Sequence, residues 1–235
     1  LISTGEDMPA VKTIAIDGPA ASGKTTLGKR LADELGFLFF DTGVMYRALT
    51  FTALQQQLDL NNESAISALA GSIDIDIAAP SRADGRNADV LVNGRDITWE
   101  IRRPEVDANV SQVSAYPGVR QAMTIQQRRI GRRGGVVMVG RDIGTIVMPD
   151  ADLKIYLDAT LEVRAWRRYA ELLERGEPAD LHAILKAMHK RDEIDSTRST
   201  APLRPADDAV ILDSDQLDAE QVFLQALDLA RCDQI

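Results

Sequence analysis

Five short runs of apolar and β-branched residues punctuate the chain: Val11 to Ile16, Phe37 to Phe40, Val136 to Val139, Leu153 to Leu157 and Ala209 to Leu212. Runs of this length without a polar face suit strands covered on both sides, as in a parallel sheet. Between them the period changes. Leu27, Leu31 and Leu35 recur at helical spacing and stop at Gly36, where a C-cap glycine would sit. The same spacing holds for Met45, Leu49, Thr52/Ala53 and Gln56 within 44–58, and for Val106, Val110 and Val113 after Pro104. A further helix opens at Pro117 and carries Arg120, Met123 and Gln127 towards Gly134-Gly135. Helices are also expected at about 161–174 and 181–194, and through Val222, Phe223, Ala226, Leu227 and Ala230, with Asn61 or Asn62 capping a short one to Leu69.

One stretch breaks this alternation. Ile73, Ile75 and Ile77 alternate with Asp74, Asp76 and Ala78, and two further short runs, 88–92 and 95–98, flank Asn93-Gly94. That is the pattern of a small antiparallel meander with an Asn-Gly hairpin, inserted into an otherwise doubly wound α/β fold.

The first strand gives way to Gly18-Pro19-Ala20-Ala21-Ser22-Gly23-Lys24-Thr25-Thr26, and the next residues open a helix. The spacing G-x-x-x-x-G-K-[ST] between strand and helix reads as a phosphate-binding loop. The glycines let backbone amides converge on phosphate oxygens, and the helix start adds unpaired N–H groups and its positive dipole end. Lys24 reaches β- and γ-phosphates in such a loop, and the Thr25 hydroxyl is a possible Mg²⁺ ligand. In a parallel sheet, ligands sit beyond the carboxyl ends of the strands. Asp41-Thr42 and Gly140-Arg141-Asp142 both fall at that edge.

Composition narrows the partner. The 235 residues carry a net charge of -9, which argues against a general nucleic-acid binder. The arginines nevertheless concentrate at 102–103, 120–141, 164–175 and 191–204, which suits a small polyanion held in a local basic cleft; Arg132 and Arg133 are expected to be solvated. A lone cysteine, Cys232, gives no intrachain disulfide framework and suits a reducing cytoplasm. No apolar run approaches a membrane span. Residues 1–7 read as a leader outside the fold, with Met8 a plausible start. His182 and His189, seven apart, have neither zinc spacing nor a nucleophile to activate.

Joining two polyanions requires guanidiniums more than acid–base groups. Arg164, Arg167 and Arg168 open one helix, either as a mobile arginine flap or as a charged face paired with Glu162, Glu171 and Glu174. Arg191, Asp195 and Arg198 share a helix face, either as an ion pair or as a site for a phosphate and a sugar hydroxyl.

With these residues assembled, the chain resembles the bacterial cytidylate kinase family, within the nucleoside monophosphate kinase group of P-loop proteins. The resemblance runs from Ile14 to Arg231 and is carried by 16–24 (Ile-Asp-Gly-Pro-Ala-Ala-Ser-Gly-Lys), 41–47 (Asp-Thr-Gly-Val-Met-Tyr-Arg), 111–114 with Arg120, 140–145 (Gly-Arg-Asp-Ile-Gly-Thr), 149–159, 191–198 and 201–203. It implies a three-layer α/β/α domain over 8–235 with a five-stranded parallel sheet, a nucleotide-binding insertion at about 65–105 and a helical lid at about 160–178. It implies ATP and Mg²⁺ as cofactors, CMP and dCMP as acceptors, and a monomer. ATP phosphates would lie on Gly18 to Thr26. The acceptor would lie on Asp41, Thr42, Arg47, Ser111, Arg120, Arg141, Asp142, Arg191, Asp195 and Arg198. Lys24, Arg141, Arg164 and Arg168 would stabilise the transferring group. Family members commonly carry an acid just before Gly-Arg-Asp, where this chain has Val139, and often a glycine where it has Thr25. Thr25 would then partly offset the absent acid. Against this stand a kinase for another small acceptor, such as shikimate or gluconate, and a nucleotide-sensing module or GTPase-like switch; the chain has no Asn-Lys-x-Asp motif for the latter.

Overall fold

The computed structural model describes residues 11–231, so the expected leader at 1–7 and Cys232 lie outside the described residues. In chain order the elements are β1 (Thr13–Asp17), α1 (Lys24–Leu35), β2 (Leu38–Asp41), α2 (Gly43–Gln55), α3 (Glu63–Ser72), β3 (Ile75–Ala78), β4 (Asp89–Val92), β5 (Arg95–Asp96), α4 (Pro104–Val113), α5 (Pro117–Gly131), β6 (Val136–Val139), β7 (Leu153–Asp158), α6 (Leu161–Glu174), α7 (Leu181–Thr197), β8 (Val210–Asp213) and α8 (Ala219–Arg231). A 3₁₀ turn precedes α4, and a π turn over Ile143–Val147 follows β6.

The five apolar runs form one parallel sheet in the order β2-β6-β1-β7-β8. Its two faces are largely buried along β1, β2, β6 and β7, as unbroken apolar runs require, whereas the edge strand β8 buries Leu212 and leaves Val210 and Ile211 exposed. On one face Ile14, Ile16, Phe39, Val137 and Ile155 pack against Leu27 and Leu31 of α1 and Phe223 and Leu227 of α8. On the other, Ala15, Phe40, Val136 and Met138 pack against Met45 and Leu49 of α2 and Met123 and Ile130 of α5. Caps fall where expected: Asn62 accepts from the Ala65 amide, and Gly36 ends α1 at φ +68°.

The second sheet, β3-β4-β5, is antiparallel and turns on Asn93-Gly94, both at positive φ. Its outer loop is tied by Arg86, whose buried guanidinium bonds Asp84, Asp89 and Asp96 at 2.7–2.9 Å. Arg86 and the Thr98 hydroxyl together hold the Asp96 carboxyl down at about 2, with Thr98 the larger cause. Arg133 departs from the expectation of a merely solvated residue, because it reaches across to Asp76 at 2.8 Å, as Arg129 does to Asp74 at 2.5 Å. These exposed pairs satisfy the polar side of β3 and are worth roughly 0.2–1 kcal/mol each.

Candidate functional site

The loop between β1 and α1 is shaped as much by its neighbours as by any ligand. A Cβ on Gly18, at φ +147°, would stand 2.1 Å from the Leu157 carbonyl oxygen of β7, so the glycine is demanded by backbone packing beneath the loop. Gly23, at φ +97°, is the N-cap of α1, and Ala21 is held at φ +60°, a conformation uncommon for a residue with a side chain. The loop wraps Lys24, which is buried and donates to the Pro19 carbonyl and the Ser22 hydroxyl. Burial, then the Arg141 guanidinium, push its ammonium well below the ordinary lysine value.

Thr25 and Thr26 are exposed on the first turn of α1. Thr25 Oγ1 lies 3.4 Å from Asp41 Oδ2, while Asp41 Oδ1 accepts from the Gly43 amide at 2.9 Å. Asp41 and Val139 are register partners on adjacent parallel strands and so face the same side of the sheet. Val139 is buried against α1 at Gly28, and Asp41 thereby supplies the carboxylate at this strand end that Val139 cannot. Thr42 corrects an expectation. Its hydroxyl is buried, donates to the Val139 carbonyl at 3.0 Å, and clamps β2 to β6 below the cleft rather than lining it.

Opposite the loop, residues from three segments converge. Arg120 of α5 and Asp142 pair at 2.7 Å with both side chains under a tenth exposed. Arg198 lies 3.6 Å from Asp142 and 3.3 Å from Asp195, Arg141 holds Asp195 at 3.0 Å, and Arg191 approaches Asp195 at 4.0 Å. Four guanidiniums thus face two carboxylates, a deficit an anion would fill. Burial, then neighbouring Arg120, push Arg198 below the ordinary arginine value. Arg120 Nε, Asp142 Oδ2 and Arg198 Nη2 are buried without a hydrogen-bond partner in the protein. Such leftovers are rare in native interiors and mark a place where a polar ligand completes the network.

A cleft joins the two halves. One part, of about 680 Å³, runs from Lys24 and Thr25 past Arg47 and Ser111 to Tyr46, Arg120, Asp142 and Arg198. The adjoining part, of about 890 Å³, lies between Ile77, Thr98 and Ile101 on one side and Arg168, Met188 and Arg191 on the other. Arg47 pairs with Asp107 across it. Tyr46, one residue before Arg47, is placed by the sequence in the first turns of its helix near a strand end and inside the 41–47 motif, but not among the expected site residues. It lies beside the Arg120 guanidinium, whose carbon stands 5.5 Å from the Tyr46 ring centroid.

The arginines of α6 divide. Arg168 lines the cleft and pairs with Glu171 at 2.8 Å. Arg167 turns away to Ser214. Arg164, expected over the reacting group, is instead buried, with its guanidinium on the Ala159 and Ala20 carbonyls and on Asp192 at 2.6 Å. It braces the glycine loop from behind. His182 and His189 are exposed on α7.

Asp17, the last residue of β1, is 4 % exposed and accepts from the Ile143 amide at 2.8 Å and the Gly144 amide at 2.7 Å. Burial outweighs these bonds and pushes its carboxyl from 3.8 up to about 6. The folded state therefore binds the proton more tightly, and this contribution to stability is lost as pH rises through the folded value. Against Asp17→Asn, the wild type should lose about 3 kcal/mol of relative stability between about pH 4 and pH 7. Urea denaturation of both proteins across that range checks it; parallel curves would contradict it.

Among the described residues no cluster of three or more His, Cys, Asp or Glu could hold a metal, and no helix is long and apolar enough to cross a membrane. In comparisons with known proteins, the chain is similar to a cytidylate kinase of Chloroflexus aggregans, 54 % identical over 218 residues covering 92 % of this chain and 93 % of the relative. A cytidylate kinase of Roseiflexus castenholzii is 53 % identical, covering 95 % and 94 %. Among solved structures, a shikimate kinase from Bacteroides thetaiotaomicron aligns with a TM-score of 0.47 at 15 % identity, over 94 % of this chain and 98 % of that one. The family model described as cytidylate kinase matches residues 14–232, from within the first strand of the parallel sheet through the glycine loop, the arginine–carboxylate cluster and the other four strands, and the chain belongs to that family.

Proposed function

We propose that this chain transfers the γ-phosphoryl group of ATP to CMP and dCMP, giving CDP and dCDP. The observation that carries the reading is the trio of buried, unpartnered atoms on Arg120, Asp142 and Arg198, in the same cleft as the glycine loop. Cytosine presents an exocyclic amine donor next to ring and carbonyl acceptors, and a carboxylate set between guanidiniums complements that edge. Arg47, Arg141 and Arg191 are left for the acceptor phosphate, where guanidiniums bind bidentately. Asp195 would take a sugar hydroxyl alongside its arginine partners.

The acceptor phosphate is already an anionic nucleophile near neutral pH, so the protein positions and neutralises rather than removes a proton. Lys24 and the loop amides stabilise charge on the transferring group, with Arg141 and Arg168 from the other side of the cleft. The meander within 65–105 serves as a lid over CMP and the α6 segment within 160–178 as a lid over ATP, closing to exclude water.

Thr25 Oγ1 and Asp41 Oδ2 are two hard oxygens 3.4 Å apart beside the loop, a sparse donor set that suits Mg²⁺ held mainly by nucleotide phosphates and water. When bound, the ion neutralises phosphate charge. Asp41→Asn keeps an oxygen for the Gly43 amide but removes the anion, and should weaken Mn²⁺ binding to the enzyme–ADP complex, read by electron paramagnetic resonance, by about tenfold. Thr25→Gly should weaken it as well. Unchanged binding in both variants would remove these residues from the metal.

Coupled turnover with CMP, dCMP, UMP, AMP and shikimate tests the whole reading. CMP and dCMP should be the preferred acceptors. Transfer to shikimate, or ATP binding without transfer to any of the five, would replace it.

A further inference from the structure

We propose that Asp17 is a positioning residue for the phosphoryl transfer: by holding the Ile143 and Gly144 amides it sets the distance between the glycine loop and the arginine–carboxylate cluster. The inference rests on reading those two groups as the donor and acceptor halves of one kinase site. Asp17 stands immediately before Gly18, and Ile143 immediately after Asp142, so one peptide link separates each end of the clamp from a binding residue. The neighbouring strands are already joined up to the Gly140 amide, which donates to Ile16 at 3.0 Å. Beyond that point Arg141 and Asp142 leave the sheet, and the chain enters the π turn at Ile143–Val147. A π turn is uncommon and needs local support. Asp17 gives it two charge-assisted bonds, the stronger class.

The carboxylate does not line the cleft, so its effect passes through the residues it holds. The turn is boxed in from a second side. A Cβ on Gly144 would meet Asp17 Oδ2 at 3.4 Å and the Lys154 side chain at 3.3 Å. Reacting atoms must sit about 3–3.5 Å apart, and a displacement near 1 Å costs on the order of a hundredfold in rate. A shift of the turn would move Arg141 and Asp142 together relative to Lys24, while their pairs with Arg120, Arg198 and Asp195 are each made through a long arginine side chain that can follow a small displacement.

Asp17→Asn is close to isosteric, but its one oxygen accepts from only one of the two amides and its NH₂ opposes the other. Dissociation constants for ATP alone and CMP alone should stay within about twofold of wild type, while kcat falls by about tenfold or more. The decisive probe is a bisubstrate analogue in which adenosine and cytidine are joined through five phosphates, because its affinity depends on the spacing of the two half-sites. Its dissociation constant should rise by about tenfold beyond the product of the two mononucleotide changes. A rise no larger than that product overturns the inference, as does an unchanged kcat. Gly144→Ala pushes on the same clamp from the turn side and should give the same pattern; it decides the matter if Asp17→Asn does not fold. Failure of the wild type to phosphorylate CMP would instead sink the functional reading.

Discussion

Lys24→Ala should abolish measurable transfer, lowering kcat by roughly a thousandfold or more, at the upper end of what loss of one charge-stabilising donor produces. The loop that carries Lys24 is supported from outside: Gly18 packs closely over the Leu157 carbonyl, Arg164 donates to the Ala20 carbonyl, and Ser214 donates to the Ser22 carbonyl. Removing the Lys24 side chain costs the loop its inner bonds to Pro19 and Ser22 but leaves these outer supports in place. Its ammonium is buried and sits near Arg141, so its charge is held at a cost in the free protein. Charge developing on a phosphoryl oxygen reverses that cost, which is why the loss should fall on kcat. Circular dichroism should show a retained fold, and single-turnover transfer measures the effect. Near-normal turnover would overturn the assignment of the loop as the donor site.

Asp142→Ala has the second large effect, and it strikes stability and acceptor use together. Arg120 is buried with Asp142 as its ion-pair partner, and Arg198 stands close by. Breaking a buried pair by removing one member strands the other charge and costs about 3–5 kcal/mol. Asp142→Asn, which preserves shape and one acceptor oxygen, should cost less in stability yet still raise the CMP KM by on the order of tenfold, since the charge that balances two guanidiniums is lost. Denaturant midpoints separate the two variants, and initial rates at varied CMP and varied ATP separate the substrates. An increase confined to the ATP KM would move Asp142 out of the acceptor half.

Much of the fold was legible because each strand of the parallel sheet is a short apolar run and most helices carry their period and caps in plain sight. The π turn after β6 was not, since five residues carry no period and two of their amides are held by Asp17, over a hundred positions away. The site was legible as motifs and less so as contacts. Arg120, Asp142, Asp195 and Arg198 met in one cluster, which the family resemblance implied and spacing alone did not. Thr42 and Arg164 did not, because helical or strand spacing fixes where a side chain starts and not which distant carbonyl or carboxylate it ends on. Asp17 left one faint mark, a lone carboxylate closing an apolar strand beside the glycine loop. Asp41 could be paired with Thr25 only once β2 was known to lie beside β6.

The antiparallel meander has no interior of its own. Ile75, Ile77, Val90, Val92, Ile97 and Ile101 belong to the same apolar cluster as Phe40, Met45, Leu49 and Met123, while Arg86 and its three aspartates stiffen only the outer tip. This block cannot be cut out and transplanted as a cassette to change acceptor preference. Whatever moves when the cleft shuts must roll as a lever over side chains that also line the main sheet, so swapping the meander between relatives entails swapping the faces of α2 and α5 beneath it.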